Sequence, residues 1–227
     1  MPYGAPERAL LAAAERVVRA LALFDVAFIR HGNTQAASVD IERVLSERGR
    51  LQCEAAASGY MRHLDAPLAP LALSSPAVRA LETGRLLLGE DGPPPIIPLS
   101  QLYDDLLQPS SSAMFSRCGY APLIDYFADS AESRNLLHTH ARTTLDRIAE
   151  ELEARLPAVA GDASPDRSTL CIFGHAMYLP ATALRLATLR GHETESTELI
   201  LNTNTQEASG FIVRRSASSL LLAGEVT

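Results

Sequence analysis

At 227 residues, with 47% hydrophobic content and mean hydropathy near zero, the chain is long enough to bury a full core and short enough to be one domain. Its net charge of −7 excludes a broad nucleic-acid or anionic-membrane surface, since either needs a basic face; an anion site must be a local positive pocket. Three cysteines, an odd count without regular spacing, fit a reducing compartment rather than a disulfide framework, and the cytoplasm is the expected location.

The apolar run from Ala9 to Ala14 lies between Arg8 and Glu15 and is too short to span a bilayer or to form an export core. Pro6, Glu7 and apolar positions at Leu10, Ala14, Val17 and Leu21 predict an amphipathic helix instead. Residues 1–23 are therefore read as an N-terminal helical extension, and 24–227 as a single α/β domain.

Val26-Ala27-Phe28-Ile29 reads as a fully buried parallel strand, and it ends in Arg30-His31-Gly32. Ligands of open α/β sheets bind at such strand ends. A forked donor, an imidazole and a close backbone approach together suit an oxyanion, phosphate above all. Thr34 to Val44 has no periodicity and is expected to be a loop beside the site. A helix follows Ser46 and runs to about His63, with Gly49 weakening its first turn.

Leu71-Ala72-Leu73 is expected to be a second buried strand. After it, Ser75 as N-cap and Pro76 at the first helical position open a helix that carries Arg79 on its first turns, where a guanidinium adds to the positive end of the helix dipole. Ile96-Ile97 reads as a short edge strand, followed by Leu102-Tyr103-Asp104-Asp105 with two adjacent carboxylates. A helix is expected over Ala113–Ala128 and a longer one over Ala131–Leu156. His138 and His140 on the latter read as helix-surface and partly buried residues rather than metal ligands, since helix histidines that share a metal prefer i, i+4 spacing.

Leu170-Cys171-Ile172-Phe173 is another buried strand, ending in Gly174-His175 and leading into a helix over Leu179–Leu189. It repeats the opening arrangement, so two strand ends each present a histidine. Leu199–Leu201, Phe211–Val213 and Leu220–Leu222 read as closing strands, the last two as a hairpin or edge pair.

Arg30-His31-Gly32-Asn33-Thr34, then Leu45-Ser46-Glu47-Arg48-Gly49-Arg50-Leu51-Gln52, then Ser74-Ser75-Pro76-Ala77-Val78-Arg79-Ala80-Leu81-Glu82-Thr83, and finally Phe173-Gly174-His175 together resemble the histidine phosphatase superfamily, the phosphoglycerate mutase-like fold. The resemblance implies a three-layer α/β/α sandwich with a mostly parallel central sheet, and a histidine that is transiently phosphorylated. It implies His31 as nucleophile, with Arg30, Arg79 and His175 around the phosphate. Asn33 and Thr34 would contact substrate or phosphate. Asp104 aligns with the segment where many members carry their proton donor, and Asp105 is second. The mutase-type Trp-Glu-Gly continuation is absent and the chain has no Trp, so it looks more like the phosphatases, including the small phosphohistidine phosphatases, than like the mutases.

The expected activity is a metal-independent phosphatase acting on phosphomonoesters or phosphohistidine, with no cofactor. The expected substrate is a phosphorylated small molecule or a phosphoprotein, and no nucleic-acid or membrane partner is expected. A metallophosphatase using His31, His175 and a carboxylate as ligands would have two arginines repelling its ion. A cysteine phosphatase needs Arg six positions after Cys, whereas Cys53, Cys118 and Cys171 meet Gly59, Ile124 and Met177 there. A phospho-ligand-binding or scaffold protein of the same fold is the alternative from another class, and a phosphoglycerate mutase the remaining one.

Overall fold

The computed structural model describes residues 5–63, 67–69, 71–89, 93–103, 108–159, 168–215 and 220–223. Helix α1 (Ala5–Ala20) leads into strand β1 (Phe24–Arg30); α2 (Glu47–His63), β2 (Ala72–Ser74), α3 (Val78–Leu88) and β3 (Ile96–Pro98) follow. Helices α4 (Gln108–Cys118), α5 (Leu123–Asp129) and α6 (Ala131–Val159) precede β4 (Ser168–Gly174). The chain closes with α7 (Tyr178–Leu189), α8 (Thr194–Asn202), β5 (Gly210–Val213) and β6 (Leu220–Ala223).

The six strands form one sheet in the order β3-β2-β4-β1-β5-β6. The pairs β2–β3, β2–β4 and β1–β4 are parallel, whereas β5 runs antiparallel to both β1 and β6. Every residue of β1 is buried. Successive side chains of a strand point to opposite faces, and the core divides accordingly. Val26, Phe28, Leu170 and Ile172 join one apolar cluster with residues of α1, α6 and α7; Ala27, Ile29, Cys171 and Phe173 join another with residues of α2 and α3. Helices thus cover both faces, as a three-layer α/β/α sandwich requires. Each large side chain so buried contributes roughly 1.5–3 kcal/mol, so a one-residue slip of β1, which would swap the two sets, is strongly disfavoured.

Helix α1 lies against α6, with Val17 and Leu21 buried in the first cluster. Asp25, a carboxylate in an otherwise apolar strand, is held by Arg214 at 3.3 Å and by the Arg215 backbone N–H at 2.9 Å. Arg190 donates to four carbonyls, those of Leu21, Phe24, Val213 and Arg214, at 2.7–3.0 Å, and so ties the entry to β1 to the exit of β5. Among the described residues, no helix is long and apolar enough to cross a membrane.

Three local expectations are corrected. The helix expected over Ala113–Ala128 is two, α4 and α5, because Gly119 takes a left-handed φ of 63° and donates to the Phe115 carbonyl at 2.7 Å, closing α4, while Pro122 stands before α5. The expected strand at Leu199–Leu201 is the last turn of α8: a helix turns each residue to a new face, and only Ile200 is fully buried while Leu199 is 38% exposed. The helix after β2 begins at Val78 with Ala77 as its N-cap, not at Pro76, because the Ser75 hydroxyl bonds the Ala77 N–H and turns toward the site.

Candidate active site

Strands β1 and β4 pair in parallel with Arg30 opposite Gly174, so the residues that follow, His31 and His175, leave the sheet side by side. The His31 N–H donates to the Gly174 carbonyl at 3.1 Å, and the imidazole centroids lie 5.2 Å apart with rings at 65°. His31 Nδ1 is 2.7 Å from its own neighbour's carbonyl, Gly32 O. A carbonyl only accepts, so Nδ1 carries the hydrogen and Nε2 keeps its lone pair.

Arg79, on the first turn of α3 and only 5% exposed, reaches both rings. Its Nε donates to His31 Nε2 at 3.3 Å and its Nη2 to His175 Nδ1 at 3.4 Å. On the far side of His175, Nε2 lies 2.8 Å from the Ser75 hydroxyl. With Nδ1 accepting from Arg79, Nε2 is the donor to Ser75 Oγ. Burial first, then Arg79, Arg30 and Arg43, holds the His31 imidazole down to about 3, although its bond to Gly32 favours the cation. Burial, His31 and Arg79 hold His175 well below the ordinary histidine range. Both rings are neutral near pH 7.

Arg30 is buried beside them. Its Nη1 donates to Thr205 O at 2.6 Å and its guanidinium lies 4.8 Å from the Tyr120 ring centroid. Its buried Nε has no hydrogen-bond partner among the described residues. Burial lowers its pKa, against the opposing pull of Tyr120 and Glu207. A narrow cleft lined by Tyr120, Tyr126, Met177 and Thr205 borders this side.

The other expected residues have different surroundings. Asn33 donates from Nδ2 to Glu207 at 2.8 Å and accepts from the Ser46 hydroxyl at 2.7 Å, and its backbone N–H is met by Gln52 at 2.9 Å. Thr34 Oγ1 accepts from Arg43. These bonds brace the loop after His31. Asp104 and Asp105 lie outside the described residues. His140 is buried against Tyr178 and bonded to Thr144 at 3.2 Å, whereas His138 is exposed on the helix surface beside Phe127. Among the described residues, no three His, Cys, Asp or Glu side chains gather as a metal site.

The structure adds residues that the sequence did not flag. A short 3-10 turn, Asp40–Glu42, brings the Asp40 carboxylate to Arg79 Nη2 at 2.7 Å, where the Tyr103 hydroxyl also donates to it at 2.9 Å. Tyr103 further stands edge-on to His175, with centroids 5.4 Å apart. Burial alone would raise the Asp40 carboxyl, but Arg79, Tyr103 and Arg43 outweigh it and hold it below the usual range. Only for Ser75 did the sequence carry a signal, its place after β2 in a capping pattern.

Residues 26–104 match the family model of the histidine phosphatase superfamily (branch 1). No curated protein matches significantly by sequence. Among solved structures, the chain is similar to a mycobacterial glucosyl-3-phosphoglycerate phosphatase in complex with inorganic phosphate, at 20% identity over 88% of this chain and 95% of that one, with a TM-score of 0.49. It is similar to the alpha-ribazole phosphatase of Shigella flexneri at 18% identity over 89% and 96% of the two chains, with a TM-score of 0.48. A phosphoserine phosphatase of Entamoeba histolytica in complex with 3-phosphoglyceric acid matches at 13% identity over 89% and 98%, with a TM-score of 0.49.

Proposed function

We infer, from a chain whose residues 26–104 carry the histidine phosphatase pattern, that the protein is a metal-independent phosphatase acting on phosphomonoesters or phosphohistidine through a phosphoryl group held transiently on His31. The observation that carries this reading is the 2.7 Å contact of His31 Nδ1 with the Gly32 carbonyl, which sets the tautomer. Nδ1–H is fixed on Gly32 O, so the lone pair of Nε2 is presented beside Arg79 and His175.

Phosphoryl transfer asks for a positioned nucleophile and for cations around the equatorial oxygens. His31 Nε2 forms the N–P bond as the ester P–O bond breaks. Arg79, and Arg30 beside it, meet the charge with forked donors, in the role a divalent ion fills in metal-dependent enzymes. Ser75 gives His175 a second option: its hydroxyl can accept from Nε2–H or donate to a bare Nε2. With an anion on the site, the second arrangement turns His175 Nδ1–H into a donor to a phosphoryl oxygen. Water then attacks phosphorus, gives its proton to the carboxylate left by the acid of the first step, and the N–P electron pair returns to Nε2.

The proton for the leaving oxygen is assigned to Asp104, with Asp105 next in line, on the family resemblance alone. Losing general acid catalysis costs roughly 10²–10⁴-fold on a poor leaving group and less on a good one such as a phenol. The substrate is a phosphorylated small molecule or a phosphoprotein, and the proposed setting is the cytoplasm, consistent with three free thiols.

The test is hydrolysis of p-nitrophenyl phosphate in excess EDTA by wild type and His31→Ala. Wild type is expected to turn over and the variant to be inactive, with an acid-labile, base-stable phosphoryl label on His31 in quenched wild type. Equal activity in His31→Ala, or a label that persists in it, rejects the assignment.

A further inference from the structure

Arg79 has five N–H donors in a planar fork. One goes to His31 and one to His175; the outer edge of the fork is on Asp40, with Nη1 on the backbone carbonyl and Nη2 on Oδ2 at 2.7 Å. Asp40 Oδ2 also accepts from Tyr103 at 2.9 Å, and Oδ1 accepts from Arg43 at 3.2 Å. An oxyanion therefore stands on the guanidinium that also touches both imidazoles, and on donors a phosphoryl oxygen would use.

The piece of chain that delivers this carboxylate is built to yield. The 3-10 turn Asp40–Glu42 contains no buried residue, and the Asp40 side chain is 44% exposed. Its far end is anchored separately, where the Arg43 carbonyl accepts from the Arg79 backbone N–H at 3.1 Å and the Arg43 side chain holds Gln35 O at 3.1 Å. The Asp40 carboxylate can swing off Arg79 Nη2 without unpicking the core or moving α3, while Nη1 keeps the backbone carbonyl.

We propose that Asp40 is an internal carboxylate that the phosphoryl group of a substrate displaces from Arg79, and that this exchange is a determinant of which anions the site accepts. The proposal rests on the reading of the site as a phosphate pocket. A phosphate carries close to two charges and three strong acceptor oxygens, enough to engage Arg79 and both imidazoles at once. A singly charged carboxylate offers Arg79 no more than Asp40 already does, and is turned away.

The experiment is calorimetric titration of inorganic phosphate and of acetate into wild type, Asp40→Asn and Tyr103→Phe. Asn keeps the shape of the side chain and removes its charge. Asp40→Asn is expected to bind phosphate about 3–5-fold more tightly, the scale of an ion pair with a half-exposed partner, and to gain measurable acetate binding. Tyr103→Phe loosens the same carboxylate from another element and is expected to shift phosphate binding the same way by a smaller factor. Thermal melts of both variants check that the fold is intact. Phosphate affinity that is unchanged or weaker in Asp40→Asn overturns the proposal while leaving the phosphatase reading in place. Absence of phosphate binding in all three proteins overturns both.

Discussion

Gly49 stands on the first turn of α2, and its backbone abuts the residue that follows the His31-Gly32 pair. A Cβ built there would lie 2.0 Å from the Asn33 carbonyl oxygen and 2.9 Å from the Asn33 carbonyl carbon and nitrogen. Reaching ordinary contact requires about 1.5 Å of movement between two backbones, and neither has a flexible side chain to give way. Overpacking of this kind costs about 1–3 kcal/mol, which for a domain of this size lowers Tm by roughly 2–12 °C. Because the loop that moves carries His31, a displacement on the order of 1 Å also costs about 10²-fold in kcat/KM. Gly59, ten residues on in the same helix, has nothing within 4 Å of its virtual Cβ. Gly59→Ala is therefore expected to be neutral or stabilising by about 0.5–1 kcal/mol. Differential scanning calorimetry of the two variants, with p-nitrophenyl phosphate kinetics, makes the comparison. Equal melting temperatures for Gly49→Ala and wild type would refute the close-approach argument.

Two further perturbations test the electrostatics and the frame. The His31 imidazole is held neutral down to about 3, so between about 6.5 and that value the unfolded chain binds a proton that the folded chain does not. Stability from this group is complete above about 6.5 and is lost as pH falls toward 3; the His31 ring resonances in an NMR titration are expected to stay unshifted from about pH 8 to pH 5, and a midpoint near 6.5 would contradict the burial described. Arg190→Ala strips the donor from four backbone carbonyls and is expected to destabilise the fold by about 3 kcal/mol in urea unfolding, whereas a change under about 0.5 kcal/mol would mean that water replaces the guanidinium at no loss.

What was legible in the sequence follows from which residues act through position along an element. Arg30-His31 and Gly174-His175 could be placed because each ends an apolar run, and β1–β4 pairing then brings them together without further information. Arg79 could be placed because its helix starts directly after β2. Asp40 could not: the stretch from Thr34 to Val44 has no period, and the turn at Asp40–Glu42 is held by Arg79, Arg43 and Tyr103, partners scattered through the chain. Asn33 reads from the family pattern as a contact to substrate or phosphate, and its bonds to Glu207 and Ser46 could not be read there, since both partners are brought to it by the fold. Gly49 reads as a weak first turn in sequence, and its reason, the backbone of Asn33, is tertiary. Leu199–Leu201 misled because three consecutive apolar residues fit a strand and a helix end equally well, and only packing against α7 decides.

The parallel pairing of β1 and β4 has one more consequence. Adjacent ribs of a sheet stand about 4.8 Å apart whatever side chains they bear, and the two imidazoles that emerge from these ribs lie at nearly that spacing, 5.2 Å between centres. The pairing fixes where the two histidines leave the sheet, and Gly32 O, Arg79 and Ser75 set where their rings then lie. Loops at the rim can be redrawn without moving the two strand ends from which the histidines depart.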